Sequence, residues 1–204
     1  VEGGAQTLRM FFDAGAVDEL RLAVAPFFVN DPAAPRFTGM GQMKLNSVEQ
    51  LGQMTVMHLI TPDEHYLRAA IAESRKCMPS STAYSVGAVI VTAAGDEFTG
   101  YTGETGPHDH AEEAAISKAL AAGADLTGAT MYSSMEPCSV RKSKPESCSA
   151  LIIRHRFARA IFAYYEPLNF VDGQGAEVLR KAGIDIKAMN ELAHEVIEIN
   201  KHNI

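Results

Sequence analysis

Three short pieces of this 204-residue chain carry donor atoms that could close on one metal ion: His110-Ala111-Glu112, Pro137-Cys138 and Cys148. One imidazole and two thiolates make a soft N/S set that suits tetrahedral zinc and leaves a fourth position for water. Zinc lowers the pKa of such a water toward ~7, which yields hydroxide at neutral pH. Glu112 stands two residues beyond His110, close enough to take that water's proton without binding metal itself. Nine residues, 139–147, separate the two cysteines.

Each piece falls where the sequence predicts the end of an element. His110 opens a helix running to Ala122 and stopped by Gly123. A strand from Ala129 to Met135 stops at Pro137, and Cys148 lies in the first turn of a helix from Ser147 to about His155. Open α/β sheets place their sites at such ends. A helix start also favours thiolate over thiol, which recommends Cys148 as a ligand. His108 is a possible fourth ligand for a purely structural zinc, but residues two apart face away from each other on a helix. His155 and His194 read as surface or packing histidines, and Asp109 as a solvated residue or a helix cap.

Residues 1–60 and 61–204 read as two domains. The first has a helix from Ala5 to about Ala14, a strand from Asp18 to Ala25, a turn region around Pro26, Pro32 and Pro35, and a strand from Leu51 to Ile60. Sixty residues of this kind bury too little surface to be secure alone. Thr61-Pro62-Asp63-Glu64 then gives a sharp start signal for a helix over 62–77, with a capping threonine and proline at the first helical position. Val86–Val91 is a central strand and Glu97–Thr102 its hairpin partner. Further on come a strand at Arg159–Tyr165, a helix at Ala176–Ala182, a short strand at Ile184–Ala188 and a last helix from Asn190 to about His202. Strands alternating with helices predict a three-layer α/β/α domain with a mixed, mostly parallel sheet.

Composition narrows the function. Hydrophobic residues make up 47% and charged residues 21%, ordinary for a globular protein with a core. The net charge of −7 lacks the basic footprint of a nucleic-acid binder. The densest cations are Arg141, Lys142 and Lys144, inside the insertion between the cysteines. They read either as a solvated loop or as contacts to a small phosphorylated substrate. Two of the three cysteines belong to the metal set, and the leftover Cys77 lies on an apolar helical stripe that suits packing. That count opposes a disulfide scaffold and fits a reducing compartment. No apolar run approaches the ~18 residues of a membrane span, and no signal peptide is apparent. The expected location is cytoplasmic. The start at Val1 rather than Met, on a Gly3-Gly4 pair, suggests a missing upstream piece.

H-x-E followed by P-C and a second cysteine is the signature of zinc-dependent nucleobase deaminases. Residues 61–204 resemble the cytidine-deaminase-like superfamily, and most of all the pyrimidine deaminases of riboflavin biosynthesis. The resemblance rests on Val86-Gly87-Ala88-Val89-Ile90-Val91, His110-Ala111-Glu112, Glu136-Pro137-Cys138-Ser139 with its long gap to Cys148, and Gly173-Gln174-Gly175 leading to Ala182-Gly183-Ile184. The long gap is typical of that branch, whereas its cousins keep two residues there. Residues 1–60, through Val1-Glu2-Gly3-Gly4, Phe11, Val17-Asp18-Glu19-Leu20 and Ala25-Pro26, resemble the C-terminal part of the riboflavin-pathway reductase, a dihydrofolate-reductase-like domain. Most of that domain's cofactor and substrate site is absent, so no reductase activity is expected.

The resemblance implies a zinc cofactor on His110, Cys138 and Cys148, Glu112 as proton shuttle, an aminopyrimidine substrate and a homo-oligomer. Three departures qualify it. The usual bacterial fusion puts the deaminase first. The family commonly has Asn-Pro before its Val-Gly-Ala strand, where this chain has Tyr84-Ser85, so Tyr84 and Ser85 join Arg141, Lys142 and Lys144 as candidate substrate contacts. The insertion usually carries Gly-Arg-Thr-Pro-Pro, where this chain reads Arg141-Lys142-Ser143-Lys144-Pro145. The alternatives are a related deaminase of another amino-heterocycle and a non-catalytic, zinc-stabilised binding or assembly module.

Overall fold

The computed structural model describes residues 4–28, 30–34, 42–141, 144–166 and 174–203. The chain divides into two compact units, Val1–His65 and Tyr66–Ile204.

In the first unit, α1 (Ala5–Asp13) precedes β1 (Glu19–Val24), β2 (Lys44–Leu51) and β3 (Met54–Ile60). The strands form an antiparallel sheet in the order β1-β3-β2. The sequence predicts one strand over 51–60; the structure has a hairpin instead. The pattern hides β2 because its apolar residues Leu45, Val48 and Leu51 are spaced by three. A register shift between Leu45 and Ser47 interrupts the two-residue period there.

The second unit holds the larger sheet. Its elements are α2 (Pro62–Ser74) from Tyr66 onward, β4 (Gly87–Val91), β5 (Glu97–Tyr101), α3 (Ala111–Ala121), β6 (Thr130–Met135), α4 (Cys148–Arg154), β7 (Arg159–Tyr164), α5 (Gly175–Lys181), β8 (Asp185–Ala188) and α6 (Ala193–Asn200). α2 starts on the predicted signal: Thr61 Oγ1 accepts the Glu64 N–H at 3.2 Å. It ends at Ser74, short of Cys77, which sits half-buried in the following turn with its thiol on the Val86 carbonyl (3.4 Å). The last predicted helix is a single 3₁₀ turn, Asn190–Leu192, followed by α6.

The strand order is β5-β4-β6-β7-β8. β6-β7 and β7-β8 pair in parallel, while β4-β5 and β4-β6 are antiparallel. The sheet's pairings are therefore half parallel and half antiparallel rather than mostly parallel, because β4 alone runs against the other four strands and pairs with two of them. Helices cover both faces. One core joins Ala111, Ala115 and Ile116 of α3 with Ile152 of α4, Leu179 of α5 and Met131 of β6. The other joins Leu67, Ala70 and Ile71 of α2 with Val196 of α6 and Tyr132 of β6. Close packing sets where α3 begins. A Cβ on Gly100 would lie 2.3 Å from the Ala111 carbonyl oxygen, so only glycine lets the start of α3 lie on β5.

Candidate metal centre and active site

The start of α3 carries His110 as its N-cap and Glu112 as its second residue. The His110 side chain makes no capping bond, so its ring is turned to the sulfurs: Nδ1 lies 3.4 Å from Cys148 Sγ and 3.6 Å from Cys138 Sγ. All three donor atoms lie within 4.8 Å of one another, and they form such a group among the described residues. Tetrahedral bonds of about 2.0–2.3 Å would separate ligand atoms by about 3.5 Å. The spacing and the N/S₂ chemistry therefore fit zinc. His108 lies on the wall of the same cavity but outside this group.

The two cysteines are not equivalent. Cys138 follows β6, and the first amides of α4 fold over it: Cys148 N–H points to its sulfur at 3.5 Å and Ser149 N–H to its carbonyl at 3.1 Å. Hydrogen bonding from Cys148, set against burial and aided by His110, holds the Cys138 thiol far below its usual range. Cys148 is pushed the other way by Cys138, by complete burial and by Glu112. The two sulfurs thus share one proton, with the Cys148 thiol hydrogen-bonded to the Cys138 sulfur, because two adjoining sulfurs cannot both be anionic without a cation. Burial drives His110 down, but Cys138 and Glu112 outweigh it and the net shift is upward.

Glu112 is buried, and burial raises its carboxyl above the usual value. Ser133 Oγ donates to Oε1 at 3.0 Å and Cys148 Sγ to Oε2 at 3.3 Å. Glu112, His110 and Cys138 line a cavity of about 800 Å³ in the second unit, together with Tyr84, Arg141 and Glu166 among others. Glu166 is raised to about 8 by burial and by the negative charges of Cys138 and Glu112. No strong sequence signal marks it.

The remaining candidates separate. Tyr84 lines the cavity. Ser85 is buried beside Asn200, whose side chain takes the Ser85 N–H at 2.7 Å and donates to the Ser85 carbonyl at 3.1 Å. Arg141 binds Glu113 (2.8 Å) and the His108 carbonyl (2.5 Å). Lys144 binds Glu113 (2.6 Å) and Asp109. Lys142 lies outside the described residues. Glu136, just before Pro137, is buried. Its carboxylate accepts the Glu166 N–H (3.2 Å) and the Ala176 N–H (2.7 Å), tying the cavity wall to the start of α5. No helix among the described residues is long and apolar enough to cross a membrane.

Residues 60–164 match the family model of the cytidine and deoxycytidylate deaminase zinc-binding region. The chain belongs to this deaminase family. Residues 1–57 match the model of the RibD C-terminal domain, so that domain precedes the deaminase domain here. The chain is 44% identical over 123 residues to a diaminohydroxyphosphoribosylamino-pyrimidine deaminase of Schizosaccharomyces pombe, covering 59% of this chain and 30% of that protein. The deaminase domain superposes on the Aspergillus oryzae Rib2 deaminase, a C-terminal deletion mutant, with a TM-score of 0.60 and 31% identity, covering 69% of this chain and 91% of that one. The same Aspergillus deaminase has also been solved in complex with DARIPP. A Thermotoga maritima diaminohydroxyphosphoribosylaminopyrimidine deaminase/5-amino-6-(5-phosphoribosylamino)uracil reductase gives a TM-score of 0.61 at 29% identity, over 68% of this chain and 39% of that one. The chain thus spans about a third of the full-length relatives it matches.

Proposed function

We propose that this chain hydrolytically deaminates an aminopyrimidine, the diaminohydroxy-phosphoribosylaminopyrimidine of riboflavin biosynthesis. The observation that carries the reading is the placement of Glu112 Oε2, 3.3 Å from Cys148 Sγ within the His110–Cys138–Cys148 group, at the base of a substrate-sized cavity. His110, Cys138 and Cys148 would hold zinc. Bound there, the metal supplies Lewis acidity that lowers the pKa of a water toward ~7. Glu112 takes the proton from the attacking water and delivers it to the ring nitrogen next to the amine-bearing carbon. Glu112 then takes the second proton from the hydroxyl now on that carbon and gives it to the amine as the carbon–nitrogen bond breaks, so the products are the ring carbonyl and ammonia. The raised pKa of Glu112 suits a group that must give its proton back.

Names and chemistry of the relatives support the substrate, and the preorganised donor set supports the reaction. The decisive experiment measures ammonia release from a panel of aminopyrimidines and cytidine-type compounds, with Glu112→Gln as control. The phosphoribosylaminopyrimidine should be preferred, and Glu112→Gln should abolish turnover with zinc retained. Full activity in that variant would overturn the mechanism. Tyr84 on the cavity wall favours a second reading, deamination of a related amino-heterocycle, which the same panel separates. A homo-oligomeric state and a cytoplasmic location belong to the proposal.

A further inference from the structure

We infer that Ser133 is a positioning residue that divides the work of the Glu112 carboxylate, fixing Oε1 by a hydrogen bond and leaving Oε2 as the oxygen that carries the proton. This inference rests on the proposed deaminase reading and deepens it.

Ser133 lies on β6, the central strand of the sheet, paired with Ala88 of β4 on one side and Phe162 of β7 on the other. It shares a face with Met131, which packs against α3. Its hydroxyl points across that layer to Glu112. Ser133 is 0% and Glu112 3% exposed, so water does not compete for the bond. A carboxylate at the end of three rotatable bonds is not oriented by its helix position alone. A donor on a rigid strand supplies what the helix does not.

The two oxygens have different donors. Oε1 receives the Ser133 hydroxyl at 3.0 Å; Oε2 faces the Cys148 sulfur at 3.3 Å. The Ser133 bond therefore fixes Oε1, while Oε2 is turned to the His110–Cys138–Cys148 group, where the reacting water would lie. A serine that merely satisfied itself would need only some acceptor nearby. Here the acceptor is the proposed shuttle, and the bond selects one of its two oxygens.

The test compares Ser133→Ala, Ser133→Val and Ser133→Thr in the zinc-loaded full chain. Valine and threonine match in shape, but only threonine keeps the hydroxyl. The alanine and valine variants should lose about tenfold to hundredfold in kcat, with KM and zinc content unchanged, and threonine should restore the rate. Isotope-edited infrared spectra give a second readout. The Glu112 carboxyl band, identified by its absence in Glu112→Gln, should move in the alanine and valine variants and stay in place with threonine. An unmoved band in both variants, or wild-type kcat in Ser133→Val, overturns the inference. If the wild-type chain deaminates nothing in the panel, the proposed function fails, and the infrared comparison alone decides the role of Ser133.

Discussion

Arg141 reaches back from the loop between the two cysteines to Glu113, 2.8 Å away on the first turn of α3 and next in sequence to Glu112. The Arg141 side chain is 3% exposed, and it also donates to the His108 carbonyl. The insertion is thus latched to the segment that presents His110 and Glu112. Arg141→Met leaves Glu113 short of a buried partner and should cost about 2 kcal/mol. The unfolding midpoint of the second unit should fall by about 4–8 °C. Lys144 is 36% exposed, and Lys144→Ala should cost less than about 1 kcal/mol. If Arg141 instead held a substrate phosphate, Arg141→Met would raise KM and leave the thermal transition in place. Calorimetry and steady-state kinetics on the same variant separate the two.

The latch also carries a pH signature. Burial alone would raise the Glu113 carboxyl, but the hydrogen bonds from Lys144 and Arg141 outweigh it and hold it below the ordinary 4.5. A carboxylate depressed in the folded state contributes stability that is present above its unfolded value and is lost as pH falls through the folded one. Stability should therefore drop with pH below about 4.5, and Glu113→Gln should flatten that part of the curve. Denaturant midpoints taken with a chelator present, so that zinc release does not contribute, provide the check. Parallel curves for the two proteins would show that the latch adds nothing to acid stability.

The metal group is legible in the sequence because ligand chemistry allows few residue types, and because each ligand sits at an element end: His110 caps α3, Pro137 ends the stretch after β6, and Ser147 caps α4. What the sequence hides is pairing across long separations. Arg141 and Glu113 lie 28 residues apart, and Ser133 and Glu112 lie 21 apart. Nothing local says that a cation in an insertion will be spent on a carboxylate of α3, nor that one of two adjacent serines will face it. Likewise β2 escapes notice because a register shift and solvent exposure remove the alternation that marks a half-buried strand.

Gly175 shows another such hidden contact. A Cβ placed there would lie 1.8 Å from the carbonyl oxygen of Pro137, the residue before Cys138, and 3.2 Å from Ser149 Oγ. The start of α5 therefore touches the turn that aims one proposed ligand. Gly175→Ala should push that turn away from α5, costing about 1–3 kcal/mol by overpacking. It should also weaken zinc binding by about tenfold or more. Competition against a chromogenic chelator measures the second effect, and wild-type affinity would show that the turn adjusts without moving Cys138.

Metal removal should be visible in the thiols themselves. With zinc bound, Cys138 and Cys148 are withdrawn from alkylation, and Cys77 reacts slowly because burial raises its pKa. Chelation should add a fast-reacting thiol at neutral pH. The hydrogen bonding from Cys148 that lowers the Cys138 thiol, and the neighbouring Cys138, burial and Glu112 that raise the Cys148 thiol, point to Cys138. Cys138→Ser should abolish the new reactivity, while Cys148→Ser should lose zinc yet leave Cys138 reactive. Maleimide kinetics with mass-spectrometric mapping distinguish these cases. Faster labelling of Cys148 than of Cys138 in the stripped chain would overturn that order of the two thiols.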